Sequence, residues 1–288
     1  MSGDPFHYFR TGPNGTDGMA VGVNWNTRLI PIGMSGDSFT EEQYRSNLII
    51  ALNYAASVKA VVANVSSAQV LLQGPLPANL SSVPGCTNVI SNVAKKMDLA
   101  QIKDNAEKEI AKIKLDWPDD TGKMVVVKGV VNCPVDLNGK TFSGGSGGAG
   151  GAGGGPPDAF DSFANTYDPT SQPFIFVGGL STLTLNPWID TACNVNAVDI
   201  LAPATDFIVL DSDPATGLVE NKQGNSLAAP LVAGTIGLMV AADPSLAGQG
   251  LLIKEQLLCN AYQDGNSCSQ GGRILDAEAA VVNSAACP

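Results

Sequence analysis

Ser226 follows a glycine and an asparagine at the start of a run of small and apolar residues. This run continues to Val240, and Pro230 lies four residues after the serine, so the pattern predicts a helix that begins close to Ser226. Backbone N–H groups at the start of a helix carry partial positive charge and stabilise anions. A hydroxyl there is suited to attack a carbonyl group, because the attack creates an oxyanion. The simpler alternative is a Gly/Ala-rich packing helix in which the serine is only an N-cap.

The stretch Gly224–Gly234 resembles the serine motif of the subtilisin-like proteases (subtilases), G-T-S-x-A-x-P-x-V-A-G, with Asn225 in place of the usual threonine. A second stretch, Met124–Asn132, resembles the V-V-x-A-A-G-N strand of the same family. The resemblance implies that Ser226 is the nucleophile and that Asn132 donates to the oxyanion together with the Ser226 N–H. Taken alone, Asn132 also fits a turn asparagine at the end of a strand.

The resemblance also implies a substrate cleft. Val61–Ala68 resembles the strand of the N-M-S-x-G pattern, whose edge pairs with the substrate backbone. Gly129-Val130-Val131 stands where the family has small residues around its primary specificity pocket, which implies a narrower pocket. The residues expected to contact a substrate are Ser66, Ser67, Ala68, Val130 and Val131.

The remaining members of a Ser-His-Asp triad are hard to place in this sequence. His7 is the only histidine, and the residues after it lack the H-G-T-x-V-A-G helix of the family. It is either the general base, with that helix deleted, or a terminal residue without a catalytic role. Asp4 adjoins Pro5 and is too close to His7 to form the required geometry, and Asp37 matches a surface loop of the family. We therefore expect the triad aspartate to be absent.

Elements that could position these residues alternate along the chain. Helical periodicity over Glu41–Val58 places Tyr44, Leu48, Leu52 and Ala55 on one face. The apolar runs Ala60–Val65 and Lys123–Val131 predict buried strands, and the charged stretch Asn88–Leu115 between them predicts a helix. This order predicts right-handed crossovers and a parallel sheet.

Two further segments complete this prediction. Arg28–Ile32 resembles the family strand that precedes the first of these helices, and Val70–Cys86 has the prolines and glycine of a loop. The resemblance then implies the three-layer subtilisin-like α/β fold, with a mostly parallel central sheet flanked by helices but without its first strand and helix. We expect one domain over 1–288, with an irregular segment at 1–18 and a Gly-rich surface loop insertion at 143–157.

Composition excludes several functions. The formal net charge of −11 argues against nucleic-acid binding. The sequence has no run of eighteen apolar residues, so no membrane span is predicted. Met1–Pro5 does not resemble a signal peptide, but the acidic balance and six cysteines fit an extracellular protein. Sequence cannot fix the cysteine pairing; Cys259 and Cys268, which flank a polar loop, are the best local pair.

We expect a monomer with no required cofactor and no zinc site. The resemblance implies that calcium could stabilise the fold, although no residues can be assigned to it.

The sequence therefore predicts a subtilisin-type serine endopeptidase that hydrolyses polypeptides through an acyl-enzyme at Ser226, with activity impaired by the absent aspartate. One alternative is a non-catalytic pseudoprotease that binds peptides in the same cleft. Another is a fragment of a longer active protease, whose aspartate segment is encoded elsewhere. An α/β hydrolase is disfavoured, because Gly-x-Ser-x-Gly is absent and no histidine follows Ser226.

Overall fold

A computed structural model describes residues 9–11, 16–18, 27–34, 40–72, 78, 80–81, 83, 86, 89–91, 99–137, 159–210, 219–266 and 268–283. The five α-helices of these residues are α1 (Glu41–Ser57), α2 (Leu99–Ile110), α3 (Asn225–Ala242), α4 (Gly250–Cys259) and α5 (Ala277–Val282). The strands, in chain order, are β1 (Phe9–Thr11), β2 (Thr16–Gly18), β3 (Val62–Val65), β4 (Val70–Leu72), β5 (Val89–Ser91), β6 (Val125–Gly129), β7 (Ala159–Phe160), β8 (Phe174–Leu180), β9 (Ile200–Pro203), β10 (Phe207–Leu210), β11 (Val219–Lys222), β12 (Tyr262–Gln263) and β13 (Arg273–Ile274).

The largest sheet has six strands in the order β12-β13-β9-β8-β6-β3. Its neighbours from β3 to β13 run parallel, and only the β12–β13 pair is antiparallel. In the part of the chain described here, β3 pairs with β6 on one side and with no strand on the other. This arrangement confirms the predicted α/β class with a mostly parallel sheet.

Both faces of the central strands are covered. All residues of β6 and β8 are buried, as is typical of a parallel sheet between helical layers. Alternate residues of β6 point to opposite faces, so Val126 joins the apolar core on the α1 side and Val127 joins the core on the α3 side. The sheet therefore holds the segment that follows β6 and the first turn of α3 at fixed positions relative to each other.

Helix α1 forms where its sequence predicts. Thr40 and Gln43 form a reciprocal capping box at its start, which satisfies two backbone N–H groups. The four residues predicted for the inner face, Tyr44, Leu48, Leu52 and Ala55, are all buried. The helical periodicity thus predicted both the element and its orientation.

Helix α3 is apolar over its 18 residues, so its length and composition alone would allow it to cross a membrane. Its packing gives a different reason for that composition, because it contacts β3, β6, β8 and β9. The approach to β6 is close: a Cβ added to Gly129 would lie 3.0 Å from the Asn225 carbonyl oxygen. The helix is thus a core element, and the described residues give no clear membrane span.

Three predicted segments differ from the structure. Residues 27–34 form no strand, and Leu29 is 83% exposed, because no described strand pairs with them. The predicted loop over 70–86 contains β4, which pairs with β5 and β7. The predicted helix over 88–115 is shorter, since the β-branched residues Val89 and Ile90 form β5 and α2 begins only at Leu99.

The predicted domain included two further segments, an irregular one at 1–18 and a Gly-rich loop at 143–157. Within the N-terminal segment expected to be irregular, β1 and β2 form an antiparallel pair. The Gly-rich segment 143–157 lies outside the described residues, so its assignment as a surface loop stays a prediction.

The disulfide prediction was wrong. Cys268 is bonded to Cys193, 75 residues away, and not to Cys259. A second disulfide joins Cys86 to Cys133, and Cys259 is itself disulfide-bonded. Proximity in sequence does not predict the cysteine pairing, because the β-sheet topology brings distant segments of the chain together. The hydrogen bond from the Asn194 N–H to the Cys268 carbonyl shows the two segments side by side.

Candidate active site

Gly224 makes the turn that presents the serine. Its backbone angles, φ 151° and ψ 153°, fall in a region that is essentially restricted to glycine. A Cβ at this position would lie 3.0 Å from Asn132 Nδ2 and 3.2 Å from Ser226 Oγ. The amide nitrogen and the hydroxyl therefore flank the same small space, beside a residue with no side chain to fill it.

Ser226 is the second residue of α3 and is partly exposed. Backbone N–H groups in the first turn of a helix have no intrahelical acceptor, so the N–H of Ser226 is oriented to bind an anion. Among the described residues, the hydroxyl of Ser226 has no hydrogen-bond partner, whereas its carbonyl accepts a bond from Ser66. The structure thus places an accessible hydroxyl at the positive end of a core helix.

Asn132 follows β6 and is also partly exposed. Its Oδ1 accepts the backbone N–H of Asn225 at 2.7 Å. This bond uses the acceptor end of the carboxamide and leaves the donor end, Nδ2, on the side of Gly224 and Ser226. The structure therefore brings the sequence-predicted pair of Asn132 and Ser226 together beside Gly224.

Asn225 lies beneath this pair and is fully buried. Its Nδ2 donates to the carbonyl oxygens of Val130 at 3.1 Å and Val131 at 2.9 Å. Its Oδ1 accepts from Thr191 Oγ1 at 3.0 Å. Sequence reasoning treated Asn225 only as a departure from threonine and missed these contacts; the one available signal was an amide side chain directly before the serine.

The segment after β3 is tied to the same helix. Ser66 Oγ donates to the Ser226 carbonyl at 3.0 Å, and Tyr44 donates its hydroxyl to the Ser67 carbonyl at 2.7 Å. Burial raises the pKa of Tyr44, so this hydroxyl stays protonated as a donor. Ser66 and Ser67 are exposed beside Ser226, where a substrate backbone could reach them.

Three of the expected substrate contacts are instead core residues. Ala68, Val130 and Val131 are 6%, 3% and 2% exposed and pack in the core on the α1 side. The carbonyl oxygens of the two valines are already bonded to Asn225. Their burial follows from their place after a central strand, where apolar side chains pack between the sheet and α1, and their role as substrate contacts stays a prediction.

A general base is not found near the serine in the described ranges, which contain no histidine. His7 lies outside them, so its assignment as base stays a prediction. The same ranges hold no group of three or more His, Cys, Asp or Glu side chains that could hold a metal ion.

One charged pair is buried beside the central strand β6. Lys128 in β6 is fully buried, and its ammonium lies 2.9 Å from the carboxylate of Asp161, which is 1% exposed. Burial alone would lower the pKa of Lys128, but the attraction of Asp161 outweighs it and raises that pKa. Asp161 also accepts the backbone N–H groups of Phe163 and Ala164, so the ion pair ties the chain after β7 to the central strand.

Comparisons with known proteins give one family match and several similar folds. Residues 158–274 match the model of the subtilase family, Peptidase S8. A comparison with curated proteins gives no match.

Among solved structures, the chain is similar to the epidermin leader peptide processing serine protease (EpiP) from Staphylococcus aureus, with a TM-score of 0.63 and 18% identity over 94% of this chain and 61% of that one. It is also similar to a chain of the subtilase cytotoxin SubAB assembly, with a TM-score of 0.51 and 16% identity, covering 89% of this chain and 67% of that one. Thus this chain spans about two thirds of the length of these structures.

The sheet order, the helix that carries Ser226 and the family match define the class of protein: an α/β protein with the subtilisin-like fold. More particularly, residues 158–274 of this chain match the subtilase family model.

Proposed function

We propose that this domain is a subtilisin-type serine endopeptidase in which Ser226 is the acyl-transfer nucleophile. In the proposed reaction, Ser226 Oγ attacks a peptide carbonyl carbon and its proton passes to a base. The new oxyanion is held by the Ser226 N–H and by Asn132 Nδ2. The base then returns this proton to the leaving nitrogen as the tetrahedral intermediate collapses, which expels the amine and leaves an acyl-enzyme that water hydrolyses.

The observation that carries this proposal is the space beside Gly224. One point there lies 3.0 Å from Asn132 Nδ2 and 3.2 Å from Ser226 Oγ. A donor, a hydroxyl and the positive end of a helix at one point form an arrangement that can stabilise an oxyanion. The glycine-only backbone conformation of Gly224 keeps this space free of a side chain.

A fluorophosphonate probe tests the proposal, because it labels an activated serine hydroxyl. We expect the wild type to be labelled, Ser226→Ala not to be labelled, and Asn132→Ala to be labelled roughly 10²-fold more slowly. Ser57→Ala is the matched control: Ser57 is an exposed serine at the end of α1, and its loss should leave labelling unchanged. Labelling that persists in Ser226→Ala would contradict the assignment.

Among the described residues the hydroxyl of Ser226 has no hydrogen-bond partner, and this favours a second candidate, a peptide-binding domain without catalysis. Without a base, the hydroxyl is a weak nucleophile at neutral pH. The two candidates differ in one result: a folded wild type that resists the probe but binds unstructured peptides would support the binding function. Adding His7→Ala to the labelling series also tests whether that histidine supplies the base.

A further inference from the structure

We propose that Asn225 is a positioning residue, which orients the Asn132 carboxamide toward Ser226. The proposal deepens the proposed function and rests on it for its kinetic test. Asn225 is fully buried, and four hydrogen bonds to other parts of the chain use its backbone N–H and both ends of its side chain. None of those bonds reaches the Ser226 side chain, although Asn225 directly precedes Ser226 in the chain.

The first step is the clamp on the end of β6. The side-chain nitrogen of Asn225 donates to the carbonyls of Val130 and Val131, the two residues directly before Asn132. Two bonds from one amide fix the orientation of both peptide groups. The backbone that carries Asn132 therefore has its direction set by Asn225.

The second step is the bond to Asn132 itself. The Asn225 N–H donates to Asn132 Oδ1 at 2.7 Å, which fixes which end of that carboxamide faces Gly224. A carboxamide that turned over would place an acceptor, not a donor, beside the oxyanion. Asn225 thus sets both the backbone and the side-chain orientation of the same residue.

The third step is what holds Asn225. Its Oδ1 accepts from Thr191, whose hydroxyl also accepts the N–H of Gly179 in β8. A Cβ at Gly179 would lie 2.5 Å from Asn225 Oδ1, so this contact also requires glycine. Threonine, the usual family residue here, has one hydroxyl and cannot donate two hydrogen bonds to two carbonyls while accepting a third from Thr191.

A double-mutant cycle separates positioning from plain stability. We expect Asn225→Thr to slow fluorophosphonate labelling of Ser226 by at least about tenfold, since a small misplacement of a reacting group is costly. In an Asn132→Ala background the same change should have almost no further effect, because the group that it positions is gone. Equal slowing in both backgrounds would overturn the proposal.

Asn165→Thr is the matched control. Asn165 also donates to a backbone carbonyl, that of Leu137, and accepts a backbone N–H, that of Asp161. Its replacement should lower thermal stability but leave the labelling rate unchanged. A slowing equal to that of Asn225→Thr would show that loss of stability alone explains the effect.

A second measurement does not depend on reactivity. The side-chain amide protons of Asn132 can be followed by NMR in the ¹⁵N-labelled protein. We expect two distinct proton shifts in the wild type, where the carboxamide is held in one orientation, and altered shifts in Asn225→Thr. If the wild type resists the probe, the proposed function fails, but the NMR measurement still tests the positioning role. Signals of the Asn132 side-chain amide that are the same in the wild type and in Asn225→Thr would overturn that role.

Discussion

At the residue scale, the site depends on a position that has no side chain. The conformation of Gly224 costs other residues of order 1–3 kcal/mol, and a Cβ would also meet Asn132 Nδ2 and Ser226 Oγ. These are two separate effects, one on the backbone and one on the space for the oxyanion. The two effects can be distinguished by comparing a substitution of Gly224 with the same substitution at a glycine where only the backbone effect occurs.

Gly224→Ala should lower the free energy of unfolding by about 1–3 kcal/mol and slow fluorophosphonate labelling at least about tenfold. Gly271→Ala provides the comparison, because Gly271 also has positive φ (66°) and an added Cβ there meets nothing within 4 Å. It should cost similar stability, by urea denaturation, but leave labelling unchanged. Normal labelling of Gly224→Ala would show that the space beside Gly224 is not used.

The residues of the site differ in how far sequence could predict them. Ser226 is recognisable because a local pattern places it at a helix start, and Asn132 because it follows an apolar strand. The contacts of Asn225 could not be predicted, since its partners lie about 30 and 90 residues earlier in the chain. The core positions of Val130 and Val131 depend equally on distant packing, so their burial was not predictable from the local sequence.

At the scale of elements, β6 combines an apolar run with one buried charge. Lys128 directly follows four buried apolar residues, Met124–Val127. It is itself fully buried, although its side chain is charged. Its partner Asp161 lies 33 residues further on, so nothing local in the sequence explains the lysine. The strand was predicted from its neighbours, whereas the ion pair was visible only in the structure.

Asp161→Asn keeps the shape of the side chain and the acceptor for Phe163 and Ala164, but it leaves the Lys128 ammonium buried without a counter-charge. We expect a loss of about 3–5 kcal/mol in the free energy of unfolding, measured by urea denaturation. The control is Lys59→Met, which breaks the exposed pair with Asp119 and should cost only about 0–1 kcal/mol.

Comparable losses in the two variants would contradict the assigned role of burial. A double variant, Lys128→Met with Asp161→Asn, should recover much of the loss, because an uncharged pair no longer carries an unpaired ion.

In residues 27–34 the sequence predicts a strand that the structure does not contain. Arg28–Ile32 has the composition of a strand, but strands form only where a neighbouring strand accepts their hydrogen bonds. In the described part of the chain none does, and Leu29 is exposed. Helix α1 was easier to predict, since a helix satisfies its own backbone and needs only one apolar face.

At the scale of the whole molecule, two disulfides connect segments that lie 47 and 75 residues apart. Cys133 directly follows Asn132, so the Cys86–Cys133 bond holds the end of β6 to a distant loop. These disulfides and the subtilase fold are consistent with an extracellular protein. The order of strands and helices was predictable because it follows from local periodicity, while the pairing of cysteines depends on the finished topology.

Replacing both Cys86 and Cys133 by alanine should lower the free energy of unfolding by about 4 kcal/mol, because the unfolded chain regains loop entropy. The same replacement of Cys193 and Cys268 should cost about as much. Only the first pair adjoins Asn132, so only its loss should also slow fluorophosphonate labelling of the folded protein. Equal labelling in both variants would show that the Cys86–Cys133 bond acts on stability alone.

The bond beside Asn132 also has a consequence for when the chain becomes reactive. A polypeptide made in a reducing compartment keeps these sulfurs as thiols, and the turn that bears the amide donor is then untethered. Formation of the disulfide would tighten that turn late in maturation, so synthesis of the chain and the reactivity proposed for Ser226 would be separated in time.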